Sequence, residues 1–593
     1  MKRALLLLAG VCTGTAFAQD SGVPGRSAPE FRIEGNINKP TQLPANPAGL
    51  KLPDGYRVDV AARDLGNARM LAVGADGAVY VTRRSEADVL LLKDADGDGR
   101  YEVRRVVASR PDMHGIAIDG STAYLMTASE IFTAPVMADG DLGPLTQIVG
   151  GLPAAGQHPN RTLGIGPDGM IYASVGSTCN ACVETSPFNA TMMQISKDGK
   201  QRKIHASGLR NTIGFDWNPR DGQLWGMDHG IDWLGDEAQP EELNRIEQGK
   251  RYGWPYIYAD GRRNPQDVPP NGLTMEDWDR MSERMVAGYT AHAAPMQMAF
   301  NRGTGFARDT QGDAFVALRG SWNRSDPKGY EVVRIRFDAS GRPGAIEPFL
   351  TGFLTRAPGG EAGWTGRPTG LAFAPDGSML VSDSENGVLY RVRYEGNDRP
   401  SAELARPVMP MTPPPAGPIA MARPETQTSG RLTVSSPAFT ANALMAPRFS
   451  DYHEKASPPL AWSGAPEGTR SFAILVDDPD AASVKPVAHW VAWNIPATST
   501  SLPEGLPGTP QLATPKMMRQ GANQAGYTGW YGPRPPIGDR PHRYHVQVFA
   551  LDTQLATIPG ASREQLLQDM RGHVIAKGEI VGRYAQPRAP AKP

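Results

Sequence analysis

Pro167-Asp168-Gly169-Met170-Ile171-Tyr172-Ala173-Ser174-Val175 decides the fold. Asp-Gly supplies the positive φ that a tight hairpin turn needs, and the strand after it is rich in β-branched and aromatic residues. The same texture recurs along the chain. Ala75-Asp76-Gly77 precedes AVYV, Ile118-Asp119-Gly120 precedes STAYLM and Arg220-Asp221-Gly222 precedes QLWGM. A looser copy, Thr310-Gln311-Gly312, precedes DAFVAL, and Pro375-Asp376-Gly377 precedes SMLVSD. The first four aspartates are 43, 49 and 53 residues apart, the period of a four-stranded propeller blade. Six copies predict a six-bladed β-propeller; six unrelated hairpins in a sandwich are the alternative. The ring is expected to close by pairing residues 56–61 with residues 389–394. The wider gap before the fifth copy places an insertion at residues 235–300, rich in Trp, Pro and Gly.

The whole chain has 593 residues and formal net charge −1, too long for one ordinary domain and too neutral for a phosphate-tracking nucleic-acid surface. With 40% hydrophobic and 21% charged residues it is globular. Gly and Pro, 66 and 54 residues, suit short strands and turns better than helices. Lys2 and Arg3, the apolar run from Leu5 to Val11 and Ala16-Phe17-Ala18 have the form of a cleavable signal peptide over residues 1–18. Export to the periplasm or medium follows, with no transmembrane segment. Cys179 and Cys182 then remain as Cys-Asn-Ala-Cys. A local disulfide, free thiols and redox or metal work are all open, and Val183 after them excludes a covalent haem motif.

Eight prolines within residues 397–430 mark a semi-extended linker. Before it lies the propeller, residues 50–396. After it, residues 431–588 form a smaller, mainly β domain with a C-terminal helix. Its runs RSFAILVDDPDA and AHWVAWNIPA are strands of a buried sheet, and Ser562 with Gln565 forms a capping box.

Chemistry in a propeller belongs at one mouth of its channel. Gln157-His158, Arg210-Asn211, Arg319 and Arg367 each sit at a similar phase of their blades. Several guanidiniums around one cavity point to a polyanionic ligand, and a neutral His beside them can accept a proton. Solvated or locally paired surface arginines are the plainer alternative. Asp94-Ala-Asp96-Gly-Asp98-Gly starts like a calcium loop, but Arg105 stands where an EF-hand needs its last carboxylate, so a hairpin turn is expected, with weak Ca²⁺ binding as the alternative. In the second domain Asp478, Asp480, His489, His542 and Tyr544 could form a small anion or metal pocket, or be a turn and satisfied core residues.

RTLGIGPDGMIYASVGSTCNAC, ASGLRN, YGWPY, DAFVALRGSWNRSDPKGY and GRPTGLAFAPDGSMLVSD also resemble the soluble PQQ-dependent sugar dehydrogenases, in particular the L-sorbosone dehydrogenase family. The resemblance spans residues 50–394. It implies PQQ on the axial channel, His158 as general base, Gln157, Arg210, Asn211, Arg319 and Arg367 as cofactor contacts, and Ca²⁺ held partly by backbone carbonyls of Gly230 and Ile231. Thr369 stands where glucose-oxidising relatives have a second late arginine. The implied reaction is hydride transfer from a sugar or aldehyde to PQQ, with an external electron acceptor. A lactonase-like metal-dependent hydrolase and a non-catalytic binding scaffold are the competing readings. DDPDA, HWVAWNIP, LPEG, YGPRPPIGDRPHRY and GHVIAKGEIVGRY resemble the phosphatidylethanolamine-binding proteins, in the bacterial Raf-kinase-inhibitor-like branch. That implies a pocket for a phosphate-like ligand lined by Asp478, Asp480, His489, His542 and Tyr544.

Overall fold

The computed structural model describes residues 37–184, 186–269, 274–407, 418–481, 486–535 and 540–587; the expected signal peptide lies outside them. Six four-stranded antiparallel sheets stand around one axis. Each turn read from the sequence joins the first and second strands of a blade. Gly77, Gly120, Gly169, Gly222, Gly312 and Gly377 all take the positive φ that the turns demand. The aspartate side chains close these turns: Asp76, Asp168, Asp221 and Asp376 each accept from the backbone N–H two residues on. The last blade is completed by the earliest of its strands. Tyr56–Ala62 pairs with Val388–Tyr394, in register from Tyr56–Tyr394 to Val60–Tyr390, as expected.

The first strand of every blade lines the axis: Ala68–Val73, Gly115–Asp119, Thr162–Ile165, Thr212–Trp217, Pro295–Phe300 and Pro368–Phe373. Neighbouring first strands pack on each other all the way round. Two glycines permit that approach: a Cβ at Gly214 would meet the Met296 carbonyl oxygen at 1.9 Å, and one at Gly370 the Arg69 carbonyl oxygen at 2.3 Å. Inside the ring, Gln297 Oε1 accepts from the N–H groups of Leu71 and Leu371 at 2.8 and 3.0 Å, and its Nε2 donates to Leu71 O at 2.8 Å. One amide thus ties three blades together. The hydrophobic core fills the spaces between blade faces, as where Tyr80, Leu125, Phe315 and Tyr390 share one buried cluster.

The expected insertion at residues 235–300 holds more regular structure than its composition announces. It contains the short helix Met275–Arg280, capped by Thr274, and the outer strand Ala287–Tyr289 of the fourth blade. It also contains the axial strand Pro295–Phe300, which opens the fifth blade.

The second domain is built on a five-stranded sheet. Ser471–Asp478 and Val487–Pro496 are buried along nearly their whole length, as their apolar runs require. The helix Arg563–Met570 carries the expected capping box, but it does not end the fold. An eleven-residue strand, Val574–Tyr584, follows it and pairs with His542–Leu551.

Over its described parts the proline-rich stretch is bonded to the domains on either side of it. Asp398 and Ala402 are bonded to Arg308 and Gln311 of the fifth blade. Residues 418–430 form two 3-10 turns on the second domain, where Ala420 N donates to the buried carboxylate of Asp477 at 2.7 Å. That carboxylate also takes a two-pronged contact from Arg563.

Replacing Gln297 with Leu leaves two enclosed N–H groups without an acceptor. At about 1–3 kcal/mol for each, urea unfolding of the Gln297→Leu protein is expected to lose about 2–6 kcal/mol of stability.

Candidate active site

His158 lies where the chain enters the third blade. Its Nδ1 is 2.8 Å from Ser177 Oγ, and that hydroxyl already donates its proton to Cys179 O at 2.7 Å. Ser177 Oγ must therefore accept, which fixes the proton on Nδ1 and leaves Nε2 as a free lone pair. Burial, with Arg210 and His229 nearby, pushes the His158 pKa down to about 2. The fully buried Arg161 clamps the loop from behind, donating to the carbonyls of His158, Gly176 and Pro153.

Arg210 and Asn211 precede the axial strand of the fourth blade, and one buried carboxylate seats them. Asp228 accepts from the N–H groups of Arg210 and Asn211 and from Thr212 Oγ1, each at 2.8 Å. Burial raises the Asp228 pKa to about 6. The Arg210 guanidinium donates to Asn180 O and Oδ1 and to Asp232 Oδ2, at 2.9, 2.8 and 2.9 Å. Asp232 is a hub. It also accepts from Asn323 Nδ2 at 3.1 Å and from Gln157 Nε2 at 3.4 Å. Asn211 Oδ1 is buried without a hydrogen-bond partner, and a Cβ on Gly176 would stand 2.9 Å from it and 2.8 Å from His158 Cβ.

A second group of cations completes the ring. Arg319 pairs with Glu385. Arg367 donates to the carbonyls of Arg319 and Gly320 at 2.9 and 2.7 Å and lies over the rings of Tyr330 and Trp364. It thus holds Arg319 in place. Arg69, 8% exposed, was not singled out in the sequence. Its Nε is 3.3 Å from His114 Nε2, and His114 Nδ1–H donates to Arg161 O at 3.0 Å. Burial lowers the Arg69 pKa to about 9, and the charge of Arg319 adds to that. His229 is half-buried with its Nε2 against Pro295 O; desolvation, with the charges of Arg210 and more weakly Arg69, lowers its pKa to about 4. The available signal was position, since Arg69 stands in the first axial strand much as Arg367 stands before the last.

Gly230 N donates to Glu241 at 3.0 Å and Ile231 N to Gln239 at 3.1 Å. The Glu241 carboxyl, pushed up to about 8 by burial, also accepts from Ala294 N. Both residues of that loop are thereby fixed through their N–H groups, and no hydrogen bond among the described residues ends on either carbonyl. Asp236 and Glu237 stand apart from this, on Ser325 and Arg324. Cys179 and Cys182 are joined in a disulfide around Asn180. Trp233 and Trp322, next to Asp232 and Asn323, meet edge to face at 5.2 Å, with Trp322 exposed. Elsewhere, the Asp94–Asp98 segment is the expected hairpin turn, its carboxylates accepting backbone N–H groups at Gly97 and Gly99.

In the second domain, Asp478, His489, His542 and Tyr544 come together. Asp478 Oδ2 lies 2.8 Å from His542 Nδ1 and 4.0 Å from His489 Nε2, and the Tyr544 and His489 rings meet at 4.9 Å. Burial and the Asp478 charge push the Tyr544 phenol up. Asp480 turns away and pairs with Arg543, both contacts at 2.8 Å.

Residues 50–395 match the family model described as TrAA12-like, and residues 435–585 match that of phosphatidylethanolamine-binding protein. An uncharacterized protein of Borreliella burgdorferi is 25% identical over 364 residues, 58% of this chain and 91% of that relative. A UPF0098 protein of Methanothermobacter thermautotrophicus is 41% identical over 153 residues, 26% of this chain and 98% of its own. Among solved structures, the holo form of the pyranose dehydrogenase PQQ domain from Coprinopsis cinerea has TM-score 0.51 and 19% identity. It covers 59% of this chain and 98% of that one, and the likeness is one of fold.

The depressed histidines and the raised carboxyls act on the pH dependence of stability with opposite sign. His114, His158, His205 and His229 all have folded pKa values below 6.5, so at these groups the unfolded chain binds more protons at acid pH, whereas at Asp228, Glu241 and Glu242 the folded chain does. The histidine contribution is complete above about pH 6.5 and is lost as pH falls, by about 1.4 kcal/mol per pH unit for each proton taken up. Compared with the unsubstituted protein in urea unfolding at about pH 7.5 and 5, His114→Asn is expected to lose less stability on acidification, by the share of that one imidazole. Selective ¹⁵N-histidine spectra of the cofactor-free protein are expected to keep His158 neutral throughout.

Proposed function

Because the chain belongs to the TrAA12-like family over residues 50–395 and carries a phosphatidylethanolamine-binding-protein domain after it, we propose that it is a quinoprotein oxidoreductase that oxidises an aldose or aldehyde. One observation carries the reading: a neutral imidazole with a free Nε2 faces the Arg210–Asn211 pair across Gly176, where a Cβ would touch both His158 and Asn211. The residues present suit a tricarboxylate such as PQQ. Arg69 has no carboxylate within bonding distance among the described residues, Arg319 Nε and Asn211 Oδ1 are buried without partners, and only a glycine fits at position 176. Guanidiniums hold carboxylates through paired, charge-assisted hydrogen bonds.

Bound there, PQQ supplies an electrophilic quinone carbonyl as two-electron acceptor. Arg210, Arg319 and Arg69 would hold its carboxylates, and Arg367 would position Arg319. Gly230 and Ile231 would offer carbonyl oxygens to a Ca²⁺ ion, oxygen ligands being what that ion prefers. His158 Nε2 accepts the hydroxyl proton of the substrate while Nδ1–H stays on Ser177 Oγ. Trp322, exposed next to Asn323, which bonds the hub Asp232, offers a face for a sugar ring. The Cys179–Cys182 bridge supports a periplasmic or secreted location. The second domain would add a small anion-binding pocket at Asp478, His489, His542 and Tyr544. A hydrolase needs open carboxylates at the channel mouth, whereas Asp228 and Asp232 are already taken up by Asn211, Thr212 and Arg210.

Reconstitution with PQQ and Ca²⁺, assayed with an artificial electron acceptor against aldoses and aldehydes, is expected to give turnover. No turnover, together with no change in cofactor absorbance, would remove the reading. His158→Gln is expected to abolish turnover and keep cofactor binding. Arg69→Met is expected to weaken PQQ by about 1.5–3 kcal/mol per lost charged hydrogen bond, measured by absorbance titration.

A further inference from the structure

A cavity of about 410 Å³ lies between the two domains, well inside the size range of small-ligand sites. One wall is the propeller, with Arg251, Trp254, Tyr256 and Trp278; the other is the second domain, with Tyr527 and Trp530. None of Asp478, His489, His542 and Tyr544 lines it. The Tyr531 ring stacks flat on His489 at 4.9 Å and separates this cavity from that cluster.

Two polar groups in its wall lack what they need. Arg251 Nη2 donates to Gly526 O across the domain boundary at 2.8 Å, and its guanidinium lies 4.4 Å from the Trp278 ring centre. No carboxylate among the described residues pairs with it, although the surrounding burial penalises its charge. Tyr256, 1% exposed, has a hydroxyl with no hydrogen-bond partner. Arg534 and Lys455 share the Asp451 carboxylate at 2.6 and 2.9 Å, and Glu184 is bonded to Thr178. Counted over the wall, the three cations Arg251, Lys455 and Arg534 face the two carboxylates of Asp451 and Glu184, which leaves one positive charge, beside aromatic rings, the buried Tyr256 hydroxyl beneath them and the hydroxyls of Ser207 and Thr528.

From this we infer that the domain interface is a second binding site, for a monoanionic sugar acid. Aromatic faces suit the C–H face of a sugar ring, the hydroxyls and backbone groups suit its O–H groups, and the planar guanidinium suits a carboxylate. Such a ligand would touch both domains at once. The site is independent of the axial chemistry, so binding is measured on the full chain without cofactor.

Calorimetric titration is the test, with glucuronate, glucose and inorganic phosphate as probes. Glucuronate is expected to bind at least about tenfold more tightly than glucose, as one added charged hydrogen bond allows. Arg251→Met is expected to abolish that preference, and Tyr256→Phe, which removes a single oxygen, to weaken glucuronate several-fold while the protein unfolds at an unchanged temperature. Glucuronate binding no more tightly than glucose overturns the proposal. So does phosphate competing equally well, which would mark a plain anion site, or glucuronate affinity unchanged in both variants. His158→Gln is expected to leave this binding intact, which separates a failure here from a failure of the dehydrogenase reading.

Discussion

Ring closure is the constraint on which everything else depends. A four-stranded blade has an inner edge with no partner, and only a closed circle brings six such edges to one axis. The pairing of Tyr56–Ala62 with Val388–Tyr394 makes that circle. It does so with backbone hydrogen bonds between segments more than three hundred residues apart in the chain. Once closed, the residues at or near the start of each axial strand stand in one small space. Arg69, His114, Arg161, Asn211 and Arg367 all hold that position.

So many cations in one place would repel each other unless something fixed them. The structure answers with carboxylates around the ring: the buried Asp228 holds backbone N–H groups, the partly buried Asp232 ties Arg210 to Asn323, and the more exposed Glu385 faces Arg319. Backbone carbonyls take much of the remainder, as at Arg161 and Arg367. Preorganised charge of this kind costs no rearrangement when an anion arrives. Burial, with these charges added, keeps the imidazole of His158 neutral.

The blades were legible because each is announced by local chemistry. A turn that needs positive φ wants glycine, and the aspartate before it caps the turn through its own side chain, so the signal survives in a few adjacent letters. His158 and Arg210 were legible from their phase relative to those turns. Arg69 was not, because its importance lies in what it touches across the ring, and contact between distant segments leaves no local pattern. The linker shows the converse. Its prolines describe how it travels, but the bonds from Asp398 to Arg308 and from Ala420 to Asp477 depend on surfaces that the composition does not reveal. The strand Val574–Tyr584 was hidden for a similar reason, since a well-capped helix ahead of it drew the reading to a close too early.

Asn180 sits inside the four-residue loop that the two sulfurs close, and its carbonyl is shared by Arg210 and by the indole of Trp254. The sulfur bridge thus restrains the very carbonyl on which the Arg210 guanidinium rests. A chain kept in a reducing environment would hold every residue of the axial cluster while lacking the fastener that sets one of them.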